Sequence, residues 1–135
     1  MGRIKSIFFI AAMFISCKPN NHSMVNGKVE FNDGIIYAAS VNYDFGKVNA
    51  TSSDIVNFCF TLHNLSGDTL TIDEIEALCP CISIGDYERS VGPKHDFMIT
   101  GVIKLTSGTG DFNKPLFVRY NNGKALLLRL KGYIE

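Results

Sequence analysis

Residues 55–63 read Ile-Val-Asn-Phe-Cys-Phe-Thr-Leu-His, and their alternation restricts the fold more than any other stretch. Val56, Phe58, Phe60 and Leu62 fall on one side of an extended chain, and Asn57, Cys59, Thr61 and His63 on the other. Successive side chains of a strand point to opposite faces, so a period of two commits the segment to a half-buried strand. A single hairpin is marginal in water, so such a strand needs several partners.

The chain supplies them. Val41 to Val48 is strand-like with a glycine break, and Asn64 to Asp68 is a turn cluster. Thr69 to Leu78 carries Leu70, Ile72, Ile75 and Leu78; its centre could pass for helix, but its length and flanking turns favour strand. It should return as a hairpin onto 55–63, centred near Ser66-Gly67. Ile82 to Tyr87, Asp96 to Leu105, Phe112 to Tyr120 and Ala125 to Ile134 follow, punctuated by Val91-Gly92-Pro93-Lys94, by Ser107-Gly-Thr-Gly110 and by Asn121-Asn122-Gly123, a strong hairpin signal. Lys28 to Ala39 holds another turn signal, Asn32-Asp33-Gly34, and reads as a small hairpin or an extended lead-in. About seven short strands with almost no helical periodicity predict an all-β sandwich over residues 41–135.

The beginning of the chain has a different character. Arg3 and Lys5 precede an unbroken apolar run, Ile7 to Ile15, and Ser16 stands directly before Cys17. The run is shorter than the roughly 20 residues a membrane span requires. Residues 1–16 therefore read as a cleaved lipoprotein signal peptide, with Cys17 as the lipid attachment site. Residues 17–40 become a tether and lead-in. Removing residues 1–16 leaves 119 residues, enough to bury a core unaided. It also leaves 11 basic and 13 acidic side chains with no basic patch, so nucleic acid is not an expected partner. The expected location is the bacterial cell envelope, on the outer membrane facing the periplasm, because Lys18-Pro19-Asn20-Asn21 lacks an acidic surface-export run.

Several short motifs then line up in order. Asp44-Phe45-Gly46 opens the set, and Phe60-Thr-Leu62-His-Asn64 follows with Gly67 in the turn. Cys79-Pro80-Cys81 ends a strand, Gly92-Pro93 makes a turn, a glycine loop leads into Phe112-Asn113-Lys114, and Leu128-Arg-Leu130-Lys-Gly132 closes the chain. In this order they resemble a family of small exported bacterial domains of unknown function, abundant in Bacteroidetes and similar to the immunoglobulin-like repeats of Hydin. The resemblance covers about residues 41–135. It implies an immunoglobulin-like sandwich and an envelope location, and supplies no activity. The family's Cys-Gly-Cys appears here with Pro80 at its centre, and its Pro-Gly turn is met only by Gly92-Pro93 in reversed order.

Cys79 and Cys81 are the residues whose spacing hints at chemistry. Proline disfavours helix at Cys79, so the segment is expected to be extended, with both thiols on one side and about 6.6 Å apart. That is near the upper limit for a disulfide. The pair could pack passively, bond to one another, act in redox chemistry, or hold Cu(I) or zinc. No cofactor is otherwise expected. His95 and Met98 are tempting as further ligands but should lie at the far end of the sandwich, and His22 and His63 have no paired spacing. In the expected hairpin Cys59 sits opposite Glu74, far from Cys79, and reads as an isolated thiol. Glu74 and Glu76 share a strand face and Asp73 points away, which fits a solvated charged surface. No Ser-His-Asp arrangement, phosphate loop or dinucleotide fingerprint is present. The expected function is therefore a non-enzymatic binding module, tied to the membrane through lipid at Cys17 and meeting an envelope protein or glycan. The alternative is a periplasmic thiol redox or copper-handling protein that uses Cys79 and Cys81.

Overall fold

Ten strands and no helix form among the residues described in the computed structural model, 29–51, 55–105 and 108–135. The signal segment, Cys17, His22 and Ser107 lie outside them. In chain order the strands are β1 (Phe31–Asn32), β2 (Ile36–Ala38), β3 (Asn42–Val48), β4 (Ile55–Asn64), β5 (Leu70–Ala77), β6 (Ile82–Ile84), β7 (Ser90–Val91), β8 (Asp96–Lys104), β9 (Gly110–Tyr120) and β10 (Lys124–Ile134). One sheet is ordered β1-β2-β4-β8-β6 and the other β3-β10-β9-β5-β7. Only the β3–β10 pair is parallel.

The two sheets bury one core between them. Phe58, Phe60 and Leu62 of β4 fill it from one side, with Phe97, Ile99 and Ile103 of β8. Leu116, Val118 and Tyr120 of β9 fill it from the other, with Leu126, Leu128 and Leu130 of β10. The alternation in 55–63 is thus realised as read. The β9–β10 hairpin also forms where expected. Asn121, Asn122 and Gly123 take φ of 45°, 50° and 138°, a left-handed run that asparagine and glycine tolerate best.

One expectation fails. β4 and β5 do not form a hairpin; β4 pairs with β2 and β8, while β5 pairs with β9 and β7 in the opposite sheet. The 65–69 connection crosses the sandwich, and Asn64 holds the corner. Its side chain is fully buried. Its Nδ2 donates to the carbonyls of Asp68 (2.9 Å), Val91 (3.1 Å) and Gly92 (3.1 Å). Its Oδ1 accepts from the Ser66 amide (3.0 Å) and hydroxyl (2.7 Å). A buried amide that satisfies five groups ties the two sheets together where no ladder can.

The strand-paired region also starts earlier than Val41. β1 and β2 form a small hairpin whose turn is Asn32-Asp33-Gly34, and β2 adds to β4. Asp33 Oδ1 accepts from the Ile35 and Ile36 amides, both at 2.8 Å. Its Oδ2 accepts from the Tyr120 hydroxyl, which reaches over from the other sheet. Burial alone would push the Asp33 carboxyl up; the bonds from Tyr120, Ile36 and Ile35 and the charge of Lys124 outweigh it and hold it below the ordinary carboxylate value. The same burial and bond push the Tyr120 hydroxyl well above its ordinary value.

Candidate functional site

β5 ends in one sheet and β6 begins in the other, so residues 78–81 make a second crossing. The crossing is a reverse turn. The Ile82 amide donates to the Cys79 carbonyl at 3.1 Å, which puts Pro80 second in the turn, where its fixed φ fits. The extended conformation expected for Cys79-Pro80-Cys81 is therefore not adopted. Turning brings the two Cα atoms to 5.1 Å, inside the range a disulfide needs, and the two sulfurs are bonded. The turn is tied down on its far side, where the Lys104 amide donates to the Cys81 carbonyl at 2.8 Å.

The two cysteines have unequal surroundings. Cys81 is 9% exposed and belongs to the core, whereas Cys79 is half-buried at its edge. The Cys81 amide donates to Cys79 Sγ at 3.2 Å. Leu78, directly before the pair, is 58% exposed. A register shift between Ile72 and Glu74 causes this. The bulge resets the strand's phase, so Ile75 and Ala77 turn inward and Glu76 and Leu78 outward. Leu127, 39% exposed, pairs with Phe117 on the same outer face, and Phe117 pairs in turn with Glu76. Leu78, one residue past the Ala77–Leu116 pair, thus shares this outer face with the half-buried Phe117 and with Leu127. The sequence marks Leu78 only as one of the strand's apolar residues; its outward turn follows from the bulge.

Other expectations sort clearly. Cys59 pairs with Thr100 across β4–β8 rather than with Glu74. It is also not an isolated thiol: it is disulfide-bonded, and no described cysteine is free. Met98 lies toward the other end of β8, about 20 Å along the strand from Lys104 at 3.3 Å per residue, and His95 stands just before that end. His63 pairs with Asp96, its Nδ1 2.5 Å from Oδ1, also toward that end. Among the described residues no three His, Cys, Asp or Glu side chains gather as a metal site would require. Glu74 and Glu76 face Arg119, with Glu76 at 3.1 Å. Asp73 occupies the bulge and accepts from the Asn122 amide at 2.7 Å.

The remaining motif residues are occupied with packing. Phe45 lies on Gly132, where an added Cβ would sit 2.1 Å from the ring. Phe45 also stacks at a tilt on Phe112, with centroids 5.6 Å apart. Arg129 Nη1 donates to Asn113 Oδ1 at 3.2 Å. The Gly92–His95 turn is closed by the His95 amide on the Gly92 carbonyl at 3.2 Å. Pro93 is second in that turn and Lys94 third, at φ 62°, so the turning pair is Pro93-Lys94 rather than Gly92-Pro93 reversed.

Comparison with solved structures places this fold. The chain is similar to a protein of unknown function from Porphyromonas gingivalis W83, with 12% identity over 86% of this chain and 51% of that one, TM-score 0.60. It is also similar to the VesB protease of Vibrio cholerae, with 15% identity over 68% of this chain and 30% of that one, TM-score 0.51. The secreted serine protease VesC of the same organism gives 10% identity over 67% and 21%, TM-score 0.54. This chain therefore spans about half of the first and under a third of the other two, and identities this low show a shared fold alone. No curated protein matches. The family model described as "Protein of unknown function (DUF1573)" matches residues 36–134, most of the chain and all of the sandwich from β2 onward, so the chain belongs to the DUF1573 family.

Proposed function

We propose that this chain is a lipid-anchored envelope protein whose sandwich serves as a non-enzymatic binding module for another envelope component. The observation that carries the reading is the Cys79–Cys81 disulfide. Disulfides persist in oxidising compartments and are rare in the cytosol. Export is what the signal segment ending at Ser16-Cys17 supplies. The immunoglobulin-like likeness belongs to this reading, supported by two packed and almost wholly antiparallel sheets. The outer sheet face bearing Leu78, Phe117 and Leu127 offers the binding surface. At least two acyl chains on Cys17 would hold the domain at the bilayer, since one chain alone anchors marginally.

The test is the mass of the protein recovered from the membrane fraction, with its first peptide sequenced. The reading requires a new first residue at Cys17 bearing a diacylglyceryl thioether. Sulfur chemistry sharpens the test. Cys59 is itself disulfide-bonded and, with Cys79 and Cys81 joined, Cys17 is the fourth cysteine of the sequence; lipid on the Cys17 sulfur and a Cys17–Cys59 disulfide exclude one another, and finding that disulfide in the membrane-fraction protein overturns the lipid anchor. The periplasmic orientation is tested separately: protease added to intact cells should leave the domain whole.

A second reading, thiol redox chemistry at Cys79 and Cys81, is favoured by how little the bond can stabilise. In the chain-entropy model, closing a three-residue loop contributes about 1.6 kcal/mol, against about 3 for a fifteen-residue loop. Titrating thiols in the native protein before and after mild reductant tests this reading, which requires two thiols to appear reversibly.

A further inference from the structure

We infer that Cys79–Cys81 is a thiol–disulfide exchange site for a protein dithiol, with Cys79 as the sulfur that meets the partner and the sheet face bearing Leu78, Phe117 and Leu127 as the surface on which that partner docks. The inference rests on the redox reading above and adds direction and substrate class to it.

The asymmetry of the pair sets the direction. Exchange begins with attack of a thiolate on one sulfur of a disulfide, and access helps decide which. Cys81 is packed into the core, while Cys79 is half-buried at the edge beside the exposed Leu78. The partner thiolate therefore attacks Cys79 Sγ. The Cys79–Cys81 bond breaks, its electron pair stays on Cys81 Sγ, and that thiolate takes a proton from water. The partner's second thiolate then attacks its own sulfur in the mixed disulfide. The bond to Cys79 breaks and the electron pair stays on Cys79 Sγ, which is then protonated. Two electrons have passed from the partner, which becomes a disulfide, to Cys79 and Cys81, which become thiols; the two protons the partner's thiols release to water on forming thiolates balance the two that Cys79 and Cys81 take from it. The Cys81 amide already points at Cys79 Sγ, 3.2 Å away. A hydrogen bond to a charged acceptor is about twice as strong as one between neutral groups, so this amide favours the thiolate that leaves in the second step.

The partner is a protein rather than a small thiol because of what surrounds the site. The turn carries the exposed Leu78 onto the sheet face that also bears the Phe117–Leu127 pair, with the Arg119–Glu76 ion pair alongside. Apolar surface with a polar rim is what a protein interface uses. A small dithiol gains nothing from it.

The test uses the full-length mature protein in detergent, with dithiothreitol as the small dithiol and reduced thioredoxin as the protein dithiol. Loss of the Cys79–Cys81 bond is read by alkylation and mass. We expect reduction by thioredoxin at a rate at least tenfold above that of dithiothreitol at equal concentration. The paired substitution Leu78→Glu/Leu127→Glu, at two exposed positions, should slow thioredoxin about tenfold and leave dithiothreitol unchanged. In single variants, the Cys79 thiol of Cys81→Ser should react with maleimide at least tenfold faster than the Cys81 thiol of Cys79→Ser. If both reductants open the bond and the Leu78/Leu127 variant affects neither differently, the docking claim is overturned while the redox reading stands. If the maleimide rates are equal or reversed, Cys79 is not the entry sulfur. If neither reductant opens the bond in the folded protein, the redox reading itself falls.

Discussion

Asn64→Asp replaces one heavy atom and should remove a large share of the domain's stability at neutral pH. The native amide donates to three carbonyls and accepts from the Ser66 amide and hydroxyl, all within 2.7–3.1 Å. A carboxylate keeps the acceptor side and loses both N–H donors. It leaves the Asp68, Val91 and Gly92 carbonyls facing a negative oxygen in a fully buried position. Lost bonds at about 1 kcal/mol each, with the penalty for unsatisfied buried groups, come to about 3–5 kcal/mol, against a total stability of about 5–15 kcal/mol. The cost should depend on pH with a known sign. Burial and the facing carbonyls raise the folded pKa of the introduced carboxyl above its unfolded value of about 3.9. The variant is therefore least impaired below that unfolded value, where the protonated group can donate one bond. It loses stability as pH rises toward its folded pKa, by up to about 1.4 kcal/mol per unit. Urea denaturation of wild type and variant at pH 4 and pH 7 reads the difference directly. A deficit under 1 kcal/mol, or the same deficit at both pH values, would refute the role given to Asn64.

Three further outcomes test other joints. Gly132→Ala should cost about 1–3 kcal/mol by overpacking against Phe45, whereas Gly67→Ala, with no atom within 4 Å, should change thermal stability little. Tyr120→Phe should cost about 1–2 kcal/mol through its bond to Asp33. Asp33's folded pKa is lowered, so its contribution is present above the ordinary carboxylate value and lost as pH falls toward the folded one; removing the tyrosine donor should move that acid limb to higher pH. Replacing both Cys79 and Cys81 by serine should lower stability by only about 1.6 kcal/mol, and a cooperative thermal melt should survive.

The strands were legible where pattern is local. The alternation of 55–63, the Asn121-Asn122-Gly123 hairpin and the strand-rich course of the second half carry over directly into β4, β9 and β10. Long-range partners were not legible. Nothing in Asn64 to Asp68 distinguishes a hairpin turn from a crossing between sheets; the difference lies in carbonyls at Val91 and Gly92, more than twenty residues on. The small hairpin at Asn32-Asp33-Gly34 could be read as a turn, but not that Asp33 takes a bond from Tyr120 in the other sheet. The cysteine pair was found by spacing. Its geometry was misjudged because proline excludes helix without choosing between an extended chain and a turn, and the turn is selected by the crossing from β5 to β6. The outward turn of Leu78 stayed hidden because one bulge residue, Asp73, reverses the phase of β5.

The most direct measurement of the account is peptide mapping by mass spectrometry of the protein taken from the membrane fraction under thiol-blocking conditions. The expected result is a first peptide starting at Cys17 with diacylglycerol on its sulfur, and a peptide joining Cys79 to Cys81 by a disulfide. A protein that keeps residues 1–16, carries no lipid on Cys17, or shows Cys79 and Cys81 both blocked as free thiols would contradict it.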